Sequence, residues 1–131
     1  MNCPGLRVPV AAAMLLASAC ASDPTGGEEP ARTGLLRLTS PNIDDGALLF
    51  TLSGPPVDSL TTTNTSLRLF TRRESDSTLV AALVGPVGSG AVVTLHGASE
   101  PDDYVARVLE VADRRNFLRE TLIGYALTVI R

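Results

Sequence analysis

The sequence predicts an all-β chain, a single antiparallel β-sandwich of about seven strands that follows a signal peptide and a flexible tether. Short apolar or alternating segments recur along the chain, and turn-forming residues separate them roughly every 8–12 residues. The length of 131 residues is typical of one domain. We therefore expect a signal peptide at 1–19, a lipidated N-terminus and linker at 20–33, and the sandwich at 34–131.

The first two predicted strands lie on either side of a turn. Residues 35–38 form a short apolar segment, and residues 41–46 combine proline, asparagine, aspartate and glycine, which favour turns. The six apolar or Thr residues at 47–52 are too few for a helix, and such a run is typical of a strand buried on both faces.

A hairpin and one further strand follow in the middle of the chain. Residues 66–73 alternate between an apolar and a partly charged face, residues 74–77 are a polar turn, and residues 78–84 form the partner strand. The Gly- and Pro-rich segment 85–90 is expected to end that strand, and residues 91–96 form the next one.

The segment from 99 to 120 is compatible with either a strand or a helix. Ser99 and Pro101 suit a helix start, and some apolar residues share a helical spacing. The β-branched and aromatic residues at 104–112 favour a strand, with a turn at 113–116. The last segment, 122–130, alternates Ile123, Tyr125, Leu127 and Val129 with smaller residues, and it is the clearest strand prediction.

The N-terminal segment has the features of a secretory signal. Arg7 and the N-terminal amine precede the apolar run 8–19, which is shorter than the roughly 20 residues that cross a bilayer. Ala17, Ser18, Ala19 and Cys20 resemble the lipobox of bacterial lipoproteins, with alanine at the usual apolar position. The resemblance implies that Cys20 becomes the mature N-terminus and carries acyl chains such as palmitate.

Cysteine usage is consistent with that interpretation. Cys3 and Cys20 are the two cysteines, so ordinary cleavage after Ala19 would leave an unpaired thiol on a secreted protein. Ordinary secretion and an uncleaved N-terminal anchor remain alternatives. The residue after Cys20 is Ala21 and not aspartate, which by resemblance indicates the outer membrane if the source is Gram-negative, with a secreted or periplasmic location as the alternative.

One local segment resembles part of a cohesin-type sandwich. Residues 46–53 read Gly-Ala-Leu-Leu-Phe-Thr-Leu-Ser, and Gly54-Pro55-Pro56 stands where that family has a Tyr-Asp-Pro turn. The resemblance implies a β-sandwich and does not imply a dockerin partner.

Composition and charge exclude several functions. The net charge is -3, every basic residue is arginine, and no basic stripe indicates a nucleic-acid partner. The single histidine, His96, is expected to be a surface or hydrogen-bonded residue, and no nucleophile elbow or phosphate loop is present. We therefore expect no enzymatic activity and no cofactor.

The carboxylate pairs are the remaining candidate ligands. Asp44 and Asp45, and Asp102 and Asp103, fall in predicted loops that could supply oxygen ligands to Ca²⁺, although aspartates also favour turns for their own sake. The leading hypothesis is a cell-envelope lipoprotein, held on the membrane by its N-terminal lipid, in a binding or structural role. The alternative is a secreted module that recognises a glycan or a protein through its loops, with or without calcium.

Overall fold

Eight strands form two four-stranded antiparallel sheets in the computed structural model, which describes residues 32–131. The predicted β-sandwich is confirmed. No helix long and apolar enough to cross a membrane occurs in this described part of the chain. The strands are β1 (Thr33–Thr39), β2 (Asp45–Ser53), β3 (Ser59–Thr62), β4 (Arg68–Arg73), β5 (Thr78–Val87), β6 (Gly90–His96), β7 (Val105–Asp113) and β8 (Ala126–Ile130).

The chain crosses repeatedly between the two sheets. One sheet has the order β3-β6-β1-β8, and the other has the order β4-β5-β2-β7. β1 ends and β2 begins at the same end of the sandwich, because the chain turns between them into the opposite sheet. Asp45 pairs with Asp113, and Ser53 pairs with Val105, so the two ends of β2 mark the two ends of its sheet.

The core lies between the inner faces of the two sheets. β2 contributes Leu48, Phe50 and Leu52 to it, and β1 contributes Leu36 and Leu38 across the interior. The intervening side chains of β2, such as Leu49, are only half-buried. The expectation that both faces of this strand are buried is therefore wrong, because within residues 32–131 no second layer covers the outer face of its sheet.

The predicted hairpin is confirmed, but its second strand is longer than expected. β4 and β5 pair from Arg68 with Val84 to Arg73 with Leu79. β5 then continues through Gly85 and Pro86 to Val87, whereas the prediction ended this strand at Val84. Gly85 adopts a φ of 132°, a conformation that suits glycine, and the pairing with β2 shifts at this point. Proline is tolerated here because β4 no longer pairs with this part of β5.

The ambiguous segment is a strand. β7 covers nearly the range favoured from its β-branched residues, and helical structure is limited to one 3₁₀ turn at Pro101–Asp103 before it. Proline at the start of that turn agrees with the helix-start signal in the sequence, although the turn goes no further. The predicted turn at 113–116 is also present, with Asn116 at a φ of 67°.

The final strand begins later than predicted. β8 starts at Ala126, and residues 122–125 form a turn in which the Tyr125 amide donates to the Leu122 carbonyl oxygen. Gly124 has a φ of 88°, which an extended strand does not permit, and it packs against Pro41. The alternation of residues from Ile123 onward was therefore a misleading signal for the first half of this segment.

One strand was not predicted at all. The Thr-rich segment around residues 57–65 contains β3, which pairs with β6 at the edge of its sheet. Its pattern is polar because only one face of a short edge strand meets the rest of the protein. The sandwich therefore has eight strands and not seven.

Candidate functional site

The predicted site residues fall into three separate places. Cys20 and the small residues Ala17, Ser18 and Ala19 lie outside the described residues. Asp44 and Asp45 lie at the start of β2, whereas Asp102 and Asp103 lie in the 3₁₀ turn beside the other end of the same sheet. At roughly 3.3 Å per residue, the nine residues of β2 separate the two aspartate pairs by about 30 Å. The two pairs cannot act together.

Asp45 is the centre of a hydrogen-bonded network at one end of the sandwich. Its side chain is completely buried, and its Oδ1 accepts hydrogen bonds from Arg119 Nε at 3.1 Å and from Nη2 at 2.8 Å. The Tyr125 hydroxyl lies 2.9 and 3.0 Å from the two carboxylate oxygens, and Ser40 Oγ donates to Oδ2 at 2.5 Å. A buried carboxylate needs such partners, since burial without them is very unfavourable.

Asp44 shares the same arginine at the protein surface. Arg119 Nη2 lies 2.5 Å from Asp44 Oδ1, and the Asp44 side chain is largely exposed. The hydrogen bond from Arg119 is the main cause that lowers the pKa of Asp44, and the two aspartates together raise the pKa of the guanidinium. Arg119 therefore bridges two adjacent carboxylates, and a cation at Asp45 would have to displace it.

The network joins two loops that are far apart in sequence. The Asn42 side-chain amide donates to the Tyr125 hydroxyl at 2.8 Å, and the Arg114 amide donates to the Asp44 carbonyl oxygen at 2.9 Å. Ser40 and Asn42 belong to the β1–β2 loop, whereas Arg114 and Tyr125 belong to the β7–β8 loop. Side-chain and backbone bonds together therefore fix one loop against the other.

Four large apolar side chains project from these two joined loops. Ile43 is 92% exposed, Phe117 67%, Leu118 63% and Ile123 84%. Each is one or two positions from a residue that bonds within the network, so all four lie at the same end of the molecule. We call this surface, formed by residues 40–45 and 114–125, the loop end.

The exposure of these side chains is not an ordinary surface property. Single exposed apolar residues are normal, but a group of large ones on neighbouring loops indicates an interaction site. The network explains how these loops keep their shape, because hydrogen bonds to a buried carboxylate stabilise the loops and packing of the apolar tips is not needed. The loop end is the best candidate for a binding surface on the described part of the chain.

The other predicted ligands have local roles. Asp102 and Asp103 occupy the first turn of the short 3₁₀ segment, where their charge suits the free amides of the turn. Within residues 32–131, no group of three or more His, Cys, Asp or Glu side chains could hold a metal ion. His96 Nε2 lies 2.8 Å from Thr61 Oγ1 on the neighbouring edge strand, which agrees with the expectation of a hydrogen-bonded histidine.

Sequence reasoning missed the residues that build the loop end. Arg119 and Tyr125 act on Asp45 across 74 and 80 positions, and no local pattern shows such a contact. The apolar tips did leave a signal, since Ile43 interrupts a turn-forming segment and Phe117 and Leu118 follow one directly. An apolar residue inside a predicted turn has no core to enter, and that is a reason to expect an exposed tip.

Comparison with known proteins finds no relative, since no protein-family model, no curated protein and no solved structure matches the chain.

Proposed function

We propose that this chain is a non-enzymatic lipoprotein of the cell envelope whose β-sandwich is a binding module. The observation that carries the proposal is the loop end, where Ile43, Phe117, Leu118 and Ile123 are held in solvent by a buried polar network. A protein without a partner for this surface would gain solubility by replacing those side chains with polar ones. The surface is therefore explained by binding.

The membrane anchor is supported by the sequence that precedes the domain. Ala17, Ser18, Ala19 and Cys20 follow an apolar run in the arrangement of a lipoprotein signal, and no other cysteine occurs in the sequence after Cys20. Several acyl chains on one cysteine exceed the single chain that holds a protein only marginally on a bilayer. If the source is Gram-negative, Ala21 after the cysteine favours the outer membrane as the location.

A role in binding is also supported by the chemistry of the described residues. The carboxylates best placed for acid–base work, Asp44 and Asp45, share the guanidinium of Arg119. His96 is bonded to Thr61 at an edge strand and not to a carboxylate. Such pairings suit a structural network better than proton transfer to a substrate.

The test of the anchor is the fate of Cys20→Ala. We expect the native chain to fractionate with membranes and its intact mass to show a start at Cys20 with acyl chains attached. We expect the Cys20→Ala variant to lose the acyl mass and to leave the membrane fraction after processing. The matched control is Cys3→Ala, which removes the other cysteine and should change neither result.

The same measurement separates the proposal from its alternative. A native chain that starts at Cys20 without added lipid, or that is recovered from the medium, would contradict the lipoprotein assignment. It would favour the secreted module that recognises a glycan or a protein through its loops. Both candidates use the loop end, and they differ in what holds the protein in place.

A further inference from the structure

The loop end presents apolar tips beside a shallow depression that Gly46, Pro86, Arg114 and Asn116 border and that none of the tips lines. Its four large side chains are each at least 63% exposed, and they project from two separate loops instead of lining a groove. A protein partner would need a matching pocket for each tip. A lipid bilayer needs none, because its interface accepts apolar side chains at any position to a depth of about 5–10 Å.

The charges around the tips are nearly balanced. Arg114 and Arg115 are exposed cations, and the third arginine, Arg119, is already bound to Asp44 and Asp45. Asp113 uses its Oδ1 to accept from the amides of Arg115 and Phe117. Exposed Glu120 adds one more negative charge. This balance does not attract anionic lipid from a distance, but long arginine side chains next to apolar tips suit the headgroup region of a bilayer.

The chain between the anchor and the domain is long enough for this contact. β1 begins at the end of the sandwich opposite the loop end, about 30 Å away along the strands. Thr33 follows Cys20 by about 13 residues, which span at most roughly 45 Å when fully extended. A chain attached at Cys20 can therefore reach the far end of a domain whose loop end touches the same membrane.

We propose that the loop end is a membrane-contact site, in which Ile43, Phe117, Leu118 and Ile123 enter the interface of a phospholipid bilayer. This inference rests on the proposed function, because the lipid at Cys20 keeps the domain close to the surface. The loop end is then the second attachment, and it orients the sandwich relative to the membrane. Because the contact is apolar, it forms on zwitterionic lipid and depends little on salt.

The test places one fluorophore at either end of the sandwich. Ile43→Cys carries the label at the loop end, and Asp76→Cys carries it on the exposed turn between β4 and β5 at the opposite end. The labelled full-length proteins are reconstituted into phosphatidylcholine vesicles that contain a brominated phospholipid as the quencher. We expect the label at position 43 to lose most of its emission and the label at position 76 to lose little.

A matched pair of substitutions tests whether the apolar tips are the cause. Phe117→Ser, combined with the label at position 43, should restore much of the emission. Phe70→Ser is the control, since Phe70 is 60% exposed, close to the 67% of Phe117, but lies on the outer face of β4. It should leave the quenching unchanged. Raising the salt concentration should not restore the emission.

Three outcomes would overturn the inference. Equal quenching at both positions would mean that the domain has no fixed orientation, and stronger quenching at position 76 would place the opposite end on the membrane. A change in the emission of the label at position 43 that grows with protein concentration in vesicles without quencher would instead assign the loop end to a contact with a second copy of the chain. The proposed anchor is judged separately, because the intact mass at Cys20 is independent of where the labels are quenched.

Discussion

Asp45 is the residue on which the order of the loop end depends. It is the first residue of β2, so its backbone is fixed between Val87 and Asp113 while its side chain collects bonds from two loops. A buried carboxylate is costly unless it is fully bonded, and each partner lost leaves part of that cost uncompensated. The network therefore loses stability when a single hydrogen-bonding atom is removed.

Removal of the Tyr125 hydroxyl should weaken the domain and loosen both loops. Tyr125→Phe deletes the bond to the buried Asp45 carboxylate and the bond from Asn42. Hydrogen bonds to charged groups contribute about 1.5–3 kcal/mol, so we expect a loss of about 2 kcal/mol in the free energy of unfolding. Denaturant titration measures that loss, and amide hydrogen exchange should become faster in residues 40–45 and 114–125.

The control for this prediction is the hydroxyl of the other tyrosine, Tyr104. Tyr104→Phe deletes the bond that the Ser99 amide donates to the Tyr104 hydroxyl at the opposite end of the sandwich. It should also lower stability, but exchange at the loop end should not change. If Tyr125→Phe leaves exchange in both loops as it was, the network does not hold them together.

The Asp44–Arg119 pair should make stability fall in acid. The pKa of Asp44 is lower in the folded protein than its ordinary value of 3.8, mainly through the hydrogen bond from Arg119. The stability that this lowered pKa contributes is therefore fully present above the ordinary pKa of an aspartate. It is lost as the pH falls through the lower pKa of Asp44 in the folded protein. The stability difference between the native chain and Asp44→Asn should be constant near neutral pH and should shrink below about pH 4.

Urea titrations between pH 2 and 7 measure this dependence. In an Arg119→Gln background, Asp44→Asn should have a much smaller pH-dependent effect, because the main donor that lowers the pKa of Asp44 is gone and only a backbone hydrogen bond and the charge of Arg114 still lower it. If the stability difference between the native chain and Asp44→Asn stays constant down to the lowest pH, the Asp44–Arg119 pair contributes nothing to folding.

Among the elements, β5 is the strand whose course depends most on one residue. Gly85 combines a φ of 132° with a close approach, since an added Cβ would lie 2.5 Å from the Ser66 carbonyl oxygen. Gly85→Ala therefore forces either the strand or the preceding loop to move, and we expect a loss of about 2–3 kcal/mol. Thermal unfolding should show a lower Tm.

A second glycine in the same region provides the control. Among residues 32–131, no atom lies within 4 Å of a Cβ added at Gly88, so Gly88→Ala should be nearly neutral or slightly stabilising. Equal losses of stability from the two substitutions would mean that the φ of Gly85 and its close approach to Ser66 do not constrain the strand.

The strands were predictable to the extent that their signals are local. Alternation over residues 66–73 and the β-branched residues of 104–112 each predicted a strand, and the two segments contain β4 and β7. The side that faces the core was predicted less well, because Val105 is 60% exposed. The same local rule failed at Ile123, where Gly124 and Pro41 pack a turn that alternation alone does not reveal. β3 was missed because a short edge strand needs few apolar residues.

The candidate site was much less predictable than the fold. The sequence drew attention to Asp44 and Asp45 because adjacent carboxylates are good ligands, but their partner Arg119 is about 75 positions away. Which aspartate is buried depends on β2 starting at Asp45, and an element boundary is the least certain part of a sequence-based prediction. The lipoprotein signal at Cys20 stays a prediction, since it lies outside the described residues.

At the scale of the whole molecule, the sandwich separates two ends with different chemistry. One end receives the chain from Cys20 and holds Glu100 between Arg32 and Arg131. The other end carries the apolar tips. The exposed edge of β4 carries Arg68, Arg72 and Arg73, and charges of this kind protect an edge from pairing with another chain. The most exposed apolar side chains therefore lie at the loop end, while Phe70 and Val105, each 60% exposed, lie on strands of the β4-β5-β2-β7 sheet.

The position of β1 has a mechanical consequence. β1 is hydrogen-bonded on both sides, to β6 and to β8, and it runs from the end where the chain enters to the loop end. Tension between those two ends acts along the strands, whereas the bonds that join the strands lie across them. A pull on the β7–β8 loop then passes from β1 to β8 through bonds that bear the load in shear at the same time, instead of opening one after another. The fold is therefore built to transmit a pull between its two ends without unravelling.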